Sequence, residues 1–466
     1  LGDVYKRQLR NKMNKLYTTL LIACIAVGFT ACNDDNCDDL HLGNLANYPN
    51  VLKGTFPTED QVLELGETLE ITPELLNPED ATYSWLLNGK EISTEQTFTY
   101  QVDNPCRADL TCVITNKYGK VEMNTSFRSN HDFSKGFFYL ADGTFNFYDT
   151  EKKVTYKDCY SSLNAGKTLG MGSYDNANIS NYNGKFYVLV KTSTSNKDQF
   201  FVVDAKTLYY ENSAIVGANL NGLTILNDQY ALVTGDGIHR IDLKSLSNIK
   251  IKDKYMFSIY NGLVFNGKVL SNETYKDDAP VQSYDVNELL AAKEGEEPTA
   301  TPLDINQNQK TNFVLAKDGN AYTLEATSEG NYLVKINKDF TVEKTLLAFQ
   351  PAKSSYSTPT IGMVASESEN IIYIVSNDGA IYKYVIGENN SLSQPFIAVD
   401  KLKSSITATP QLNQQTGELY VVYNQKSKYT ITVYNKDGSL NYSVDCGSSS
   451  PSVSYTHLRA HETSQD

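Results

Sequence analysis

One short strand pattern recurs seven times along the chain. It reads GFFYLAD, GKFYVLV, DQYALVT, NGKVLSN, GNAYTLE, NIIYIVS and GELYVVY, which puts Tyr139, Tyr187, Ala231, Val269, Tyr322, Tyr373 and Tyr420 in register. The copies lie about 47 residues apart, close to the ~40–50 residues of repeats built from four strands. A second strand follows each copy: FNFYDT, FFVVDAKTL, IHRIDLKSL, VQSYDVNEL, LVKINKDF, IYKYVIGENNSL and ITVYNKDGSL. Asp149, Asp204, Asp242, Asp285, Asn337 and Asn435 close six of these strands, and short Asx side chains there bond the backbone of the following turn. Two shorter runs flank each pair, so the unit is four strands. Asp-Gly pairs at 142–143, 236–237, 318–319, 378–379 and 437–438 read as hairpin turns. They do not read as calcium loops, because no DxDxD spacing accompanies them.

One four-stranded unit cannot bury both of its faces, whereas a closed ring of seven buries them all. Residues 135–447 are therefore expected to form a seven-bladed β-propeller, with the recurring tyrosines packed between blades. Cys159 and Cys446 lie in VTYKDCY and NYSVDCG, at the ends of the outer strands of the first and last blades. Those two blades are neighbours in a ring. A disulfide closing the ring and a pair of free thiols are both open readings.

Residues 45–130 alternate apolar and polar with period two, in QVLELGETLEIT, ATYSWLLNG, QTFTYQV and ADLTCVITN. Short strands with turn residues between them indicate a β-sandwich. Trp85 before Asn88-Gly89 reads as a core side chain on a strand that ends in a tight hairpin. ADLTCVITNKYG resembles the penultimate strand of Ig-like and PKD-like domains, with Cys112 at the Ig cysteine position. The earlier strand GETLEIT has no cysteine, which favours the PKD-like form. Cys106 and Cys112 are close enough in sequence for either a bridge or two thiols. The fold class is all-β: a small PKD/Ig-like β-sandwich followed by a seven-bladed β-propeller.

The first residues, LGDVYKRQLRNK (1–12), and the last, 453–466, resemble translated sequencing-adapter read-through and are set apart from the fold. Residues 13–31 carry Lys15 and then an apolar run from Leu16 to Phe29. That run is short for a membrane span, which needs ~20 residues, and suits a secretory signal. It ends at Phe29-Thr30-Ala31-Cys32. Small residues before a cysteine resemble the bacterial lipobox, so Cys32 is the expected lipidation site. Residues 32–44 form an acidic tether with Asp34, Asp35, Asp38 and Asp39. Acidic residues behind such a cysteine resemble the surface-export signal of Bacteroidetes lipoproteins.

The formal net charge of −14 argues against a nucleic-acid partner, because polyanions are repelled. No P-loop, HExxH, nucleophile elbow or Rossmann fingerprint is present. The chain has five histidines, and a Ser-His-Asp triad in the propeller region would need His131 or His239. His239 reads as a solvated surface residue. Asp175, Glu273, Asp277 and Glu325 read as loop carboxylates that do not stand out from the surface charge. No catalytic residue, metal ligand or cofactor is expected.

Propellers usually bind where loops enter the innermost strands. Here those entries read SYDNANISNYN, GANLNGLT, SIYNGLVF, NQNQKTNF, SYSTPTIG and SSITATPQ. They make Tyr174, Asn176, Asn178, Asn219, Asn221, Tyr260, Asn261, Asn312, Tyr356 and Thr358 the ligand-binding candidates. Amides both donate and accept hydrogen bonds, and tyrosines offer flat amphipathic surface, which suits a neutral polar ligand.

The order of signal, acidic tether, PKD-like domain and propeller resembles a class of Bacteroidetes surface lipoproteins with YVTN-like (YncE-like) propellers. The resemblance implies an outer-membrane protein that is lipid-anchored, surface-exposed and without any other membrane attachment. It implies capture of a nutrient ligand, such as a corrinoid or glycan, for a TonB-dependent transporter. An extracellular polysaccharide hydrolase or lyase, and an adhesion scaffold, are the alternatives.

Overall fold

The computed structural model describes residues 47–171, 176–192, 197–220, 222–235, 237–252, 262–272, 280–306, 311–352, 362–399, 405–448 and 452–454. Residues 13–31, Cys32 and the acidic tether lie outside them. The chain divides into two compact units.

The small β-domain carries a five-stranded sheet with Gln61–Glu64, Gly119–Asn130, Arg107–Asn116, Thr82–Leu87 and Lys90–Ser93 in that spatial order. A two-stranded sheet pairs Thr68–Ile71 with Phe98–Gln101. Trp85 is fully buried, as its place in the alternation predicts. Its ring stacks 5.1 Å from Phe98 and 6.1 Å from Phe56. Its indole nitrogen donates to the Glu95 carbonyl at 2.9 Å, so the one polar atom of a large apolar side chain is paired. Trp85 lies directly across from Cys112 in the sheet. Cys112 and Cys106 are both free and buried. Asn88 and Gly89, both at positive φ, form the tight hairpin turn into Lys90–Ser93.

Among the described residues, seven further sheets follow, one per repeat. Blade 2 shows the plan, with Asn176–Tyr182, Lys185–Lys191, Asp198–Asp204 and Tyr210–Gly217 antiparallel from the axis outward. Blade 3 (Gly222–Ile225 to Asn248–Lys252), blade 4 (Leu263–Phe265 to Ala300–Asn306) and blade 5 (Val314–Leu315 to Val342–Leu347) repeat it. Blade 6 has three strands, Met363–Ala365, Ile371–Val375 and Ile381–Val385. A bridge from Ile381 to Ile397 stands where the fourth would be. In blade 7 the innermost strand is split into Ser405–Ile406 and Gln411–Leu412, both paired to Leu419–Gln425.

The recurring strand is the second of each blade, and it is apolar on both faces because both faces are covered. In Lys185–Lys191, Phe186, Val188 and Val190 pack toward blade 1, while Tyr187 and Leu189 pack toward blade 3. The same alternation sends Ile372 and Ile374 toward blade 5, and Tyr373 and Val375 toward blade 7. Seven hydrophobic clusters result, one at each blade-to-blade interface. Each fully buried Phe or Leu there contributes about 1.5–3 kcal/mol. Tyr139, Tyr187, Tyr322, Tyr373 and Tyr420 all belong to these clusters, so the recurring tyrosines are packing residues.

The Asx side chains act as their position predicts. Asp149 Oδ1 accepts from Glu151 N and Lys152 N, and Asp204 Oδ1 accepts from Lys206 N and Thr207 N. Asp242 and Asp285 repeat the pattern.

Of the two open readings for Cys159 and Cys446, the structure shows the pair of free thiols. Cys159 opens a short helix, Cys159–Leu163, and is buried in the core between blades 1 and 2. Cys446 sits in the outer strand of blade 7, in the core it shares with blade 1. The two thiols thus serve different interfaces. Closure comes instead from Ser452–Ser454, which pairs antiparallel with Phe138–Leu140 as the innermost strand of blade 1. That blade's other strands are Gly136–Ala141, Thr144–Asp149 and Val154–Tyr156. The propeller therefore continues past 447, to Ser454. Phe137 and Tyr139 complete the seam against Tyr420 and Val422.

Candidate binding face

Antiparallel order within each blade sorts the connections onto two rims. The starts of the innermost strands and the turns between second and third strands share an entry rim. The other turns share the far rim.

Entry-rim geometry depends on buried polar side chains that hold one blade's rim to the next. Asp198 is fully buried, and its carboxylate accepts from Thr192 N at 2.9 Å and from Leu220 N at 2.7 Å. Thr224 Oγ1 accepts from Gly262 N at 2.7 Å. Asn272 Nδ2 donates to Thr311 O at 2.8 Å. Glu325 Oε1 accepts from Asn306 N at 2.7 Å, and Lys344 Nζ lies 2.8 Å from Oε2. Glu325 is thus not a loop carboxylate; it lies in strand Ala321–Ala326 and is buried. Each of these groups satisfies backbone atoms that would otherwise be buried without partners. Sequence reading missed them, because a single Asp or Asn at a strand end carries no spacing signal.

Of the ten ligand-binding candidates, Tyr174, Asn221, Tyr260, Asn261, Tyr356 and Thr358 lie outside the described residues. Asn176 and Asn178 stand in the innermost strand of blade 2, with backbones paired to Lys191 and Leu189. Asn219 takes a left-handed conformation at the turn into blade 3. Its carbonyl would come within 2.1 Å of any Cβ at Gly235, so only glycine fits there. Asn312 has a structural role. Its Nδ2 donates to Met363 O at 2.7 Å and its Oδ1 accepts from Met363 N at 2.9 Å. The amide clamps blade 5 to blade 6 through one hydrogen bond on each of its polar atoms.

The histidines are structural as well. His239 is buried, with Nδ1 3.3 Å from Asn248 Oδ1, so it is not the solvated residue expected. Its strand is covered by neighbouring blades on both faces. His131 Nδ1 lies 2.9 Å from Ser129 Oγ, but that hydroxyl also accepts from Cys106 N at 2.8 Å. Burial pulls the His131 pKa below its ordinary value. No cluster of His, Cys, Asp or Glu able to hold a metal occurs among the described residues.

The far rim is cross-braced by exposed side chains. Tyr182 Oη and Asn183 Nδ2 both donate to Asp228, at 2.6 and 2.8 Å, and this bond first, then burial, pushes the Tyr182 hydroxyl up to about 12. Asn266 Nδ2 donates to Lys338 O at 2.6 Å, and Lys317 Nζ to Ser368 O at 2.5 Å. Lys436 pairs with Glu369 at 2.8 Å.

Residues 133–445 match the family model of a domain of unknown function, DUF5074. The chain belongs to this family. Residues 49–116 match a PKD-like domain. A solved structure of a quinonprotein alcohol dehydrogenase-like protein from Bacteroides thetaiotaomicron is 69% identical. It aligns over 88% of this chain and 99% of its own, with a TM-score of 0.84. A functionally unknown protein from Desulfotomaculum acetoxidans is 10% identical over 69% of this chain and 99% of its own, with a TM-score of 0.46. No curated protein matches the chain. The pairing of a PKD-like domain with a propeller thus agrees with the order of domains read from the sequence.

Proposed function

We propose that the protein is an outer-membrane lipoprotein, anchored through Cys32 and displayed at the cell surface. Its propeller binds a neutral polar nutrient ligand on the entry rim and delivers it to a TonB-dependent transporter. A corrinoid or a glycan fits that description. In this reading the protein binds and does no chemistry.

The observation that carries the reading is the braced entry rim. Asp198, Thr224, Asn272, Asn312 and Glu325 hold the strand ends of successive blades in place. A rim fixed before binding loses little conformational freedom when a ligand arrives. The sequence around 13–32 supports anchoring, and the Asn- and Tyr-rich entries support a ligand with many hydroxyl or amide groups.

Thermal shift against cyanocobalamin, haem and a set of soluble glycans tests the reading. A ligand at 100 times its Kd adds about 2.7 kcal/mol of stability, which is readily measured as a rise in Tm. Turnover of a polysaccharide, with no ligand raising the Tm, would replace capture by catalysis. Labelling with radioactive palmitate tests the anchor: incorporation is expected for the native chain and lost in Cys32→Ala.

A further inference from the structure

We propose that the far-rim cleft between blades 6 and 7 is a second binding site, one that takes the hydroxyl-bearing edge of a neutral saccharide or a comparable polyol. The cleft is shallow: about 40 Å3 of space lies within its walls, and the rest is open to solvent. It lies on the rim opposite the entry face and does not rest on the capture reading.

The walls come from neighbouring blades and are fixed to each other. Turn 366–369 of blade 6 forms one wall, and turn 413–417 of blade 7 forms the other. Gln414 spans the two, donating to Ala365 O at 3.1 Å and accepting from Glu367 N at 2.8 Å. Lys436 and Glu369 span them again at 2.8 Å. A cleft held from two places keeps its width without a ligand, which lowers the cost of binding.

Several lining groups are left over after this bracing. The ring of Tyr373 is buried in the core between blades 6 and 7, yet the residue lines the cleft. No described residue hydrogen-bonds its hydroxyl. Burial, and then the charge of Glu369, push that hydroxyl up to about 12, so it remains a donor at neutral pH. Asn413 uses Oδ1 to hold Gln415 N and Thr416 N at 3.0 and 3.2 Å. Its Nδ2 has no partner among the described residues. Gln415 adds an exposed amide.

These groups point to one ligand chemistry. A phenol, two amides and a carboxylate–ammonium pair offer donors and acceptors side by side, and adjacent sugar hydroxyls need both. Lys436 and Glu369 already neutralise each other, so an anion or cation gains no net charge partner. A purely apolar ligand would leave Tyr373 Oη and Asn413 Nδ2 unpaired, which is costly.

The test uses the full chain in native gels cast with soluble xylan, galactomannan, pectic galactan or mucin, followed by titration calorimetry with oligosaccharides of the retarding polymer. Two variants probe the cleft. Tyr373→Phe removes only the hydroxyl. Asn413→Asp keeps the Oδ1 that holds its turn and removes the Nδ2 donor. Retardation in at least one gel is expected, with affinity falling several-fold in Tyr373→Phe and at least tenfold in the double variant. The Tm of Tyr373→Phe should stay within a degree or two of the native value. No retardation in any gel overturns the proposal. Equal retardation of native protein and Tyr373→Phe also overturns it, and places any glycan on another surface, leaving entry-rim capture intact.

Discussion

Asp198 illustrates how much one side chain can hold. Its two oxygens each accept a backbone N–H, one from its own blade and one from the turn into blade 3. Alanine there would leave two buried donors unpaired, at about 1–3 kcal/mol each. Asp198→Ala is expected to lower the denaturation midpoint sharply in urea, whereas Asp204→Ala, at a more exposed turn, should cost ~1 kcal/mol or less. His131 gives a pH prediction. Its folded pKa lies below the ordinary 6.5 because burial disfavours the charged form, an effect the Arg128 charge adds to and Asp132 opposes. The unfolded chain therefore binds the proton more readily. Stability from this group is complete above pH 6.5 and is lost as pH falls toward the folded pKa. Urea midpoints at pH 7.5 and 5.5 should differ less in His131→Gln than in the native protein. At this scale the sequence was partly legible. The Asx turns could be read because Asp149, Asp204 and Asp242 end strands in a repeating context. Asn312 and Asp198 could not, because what they bind lies across a blade boundary that sequence spacing does not reveal.

Second strands are the most legible elements, because they are covered on both faces and run mostly apolar. Innermost strands are the least legible. Val314–Leu315 and Gln411–Leu412 have two residues each, too few to establish a period. The closing strand Ser452–Ser454 was missed for the same reason, and also because its partner lies more than 300 residues away in sequence. It is a point of weakness that can be tested. Proline at 453 removes a backbone donor from a three-residue strand, and Val453→Pro is expected to destabilise by on the order of 2–3 kcal/mol. Gly235 makes a second test. A Cβ there would meet Asn219 O at 2.1 Å and Leu220 Cα at 2.7 Å, both backbone atoms that cannot swing aside. Gly235→Ala should cost on the order of 2–4 kcal/mol, measured by the same urea melts.

For the whole molecule, the repeat period by itself implies a ring of seven blades. What it could not show was how the ring shuts. A disulfide was chemically reasonable, but strand pairing makes it unnecessary, and the two thiols lie in different cores. Burial pushes Cys159 and Cys446 up to about 12. Both should therefore resist a thiol reagent at pH 8 in the native protein and react fully in guanidinium without prior reduction. A thiol count in guanidinium that rises only after reductant would restore the disulfide. Since every core is shared by two blades, the propeller is expected to unfold in a single calorimetric transition. Loss of one blade would strip a face from both of its neighbours.

Blade 1 joins a strand from the far end of the chain to strands that begin three hundred residues earlier. During synthesis its inner edge must wait, unpaired, until everything up to Ser454 has emerged. A premature stop anywhere in the last blade would leave that edge open as a ready template for another chain. A chain that lacks Ser452–Ser454 has nothing to pair with Phe138–Leu140, and its ring stays open at blade 1.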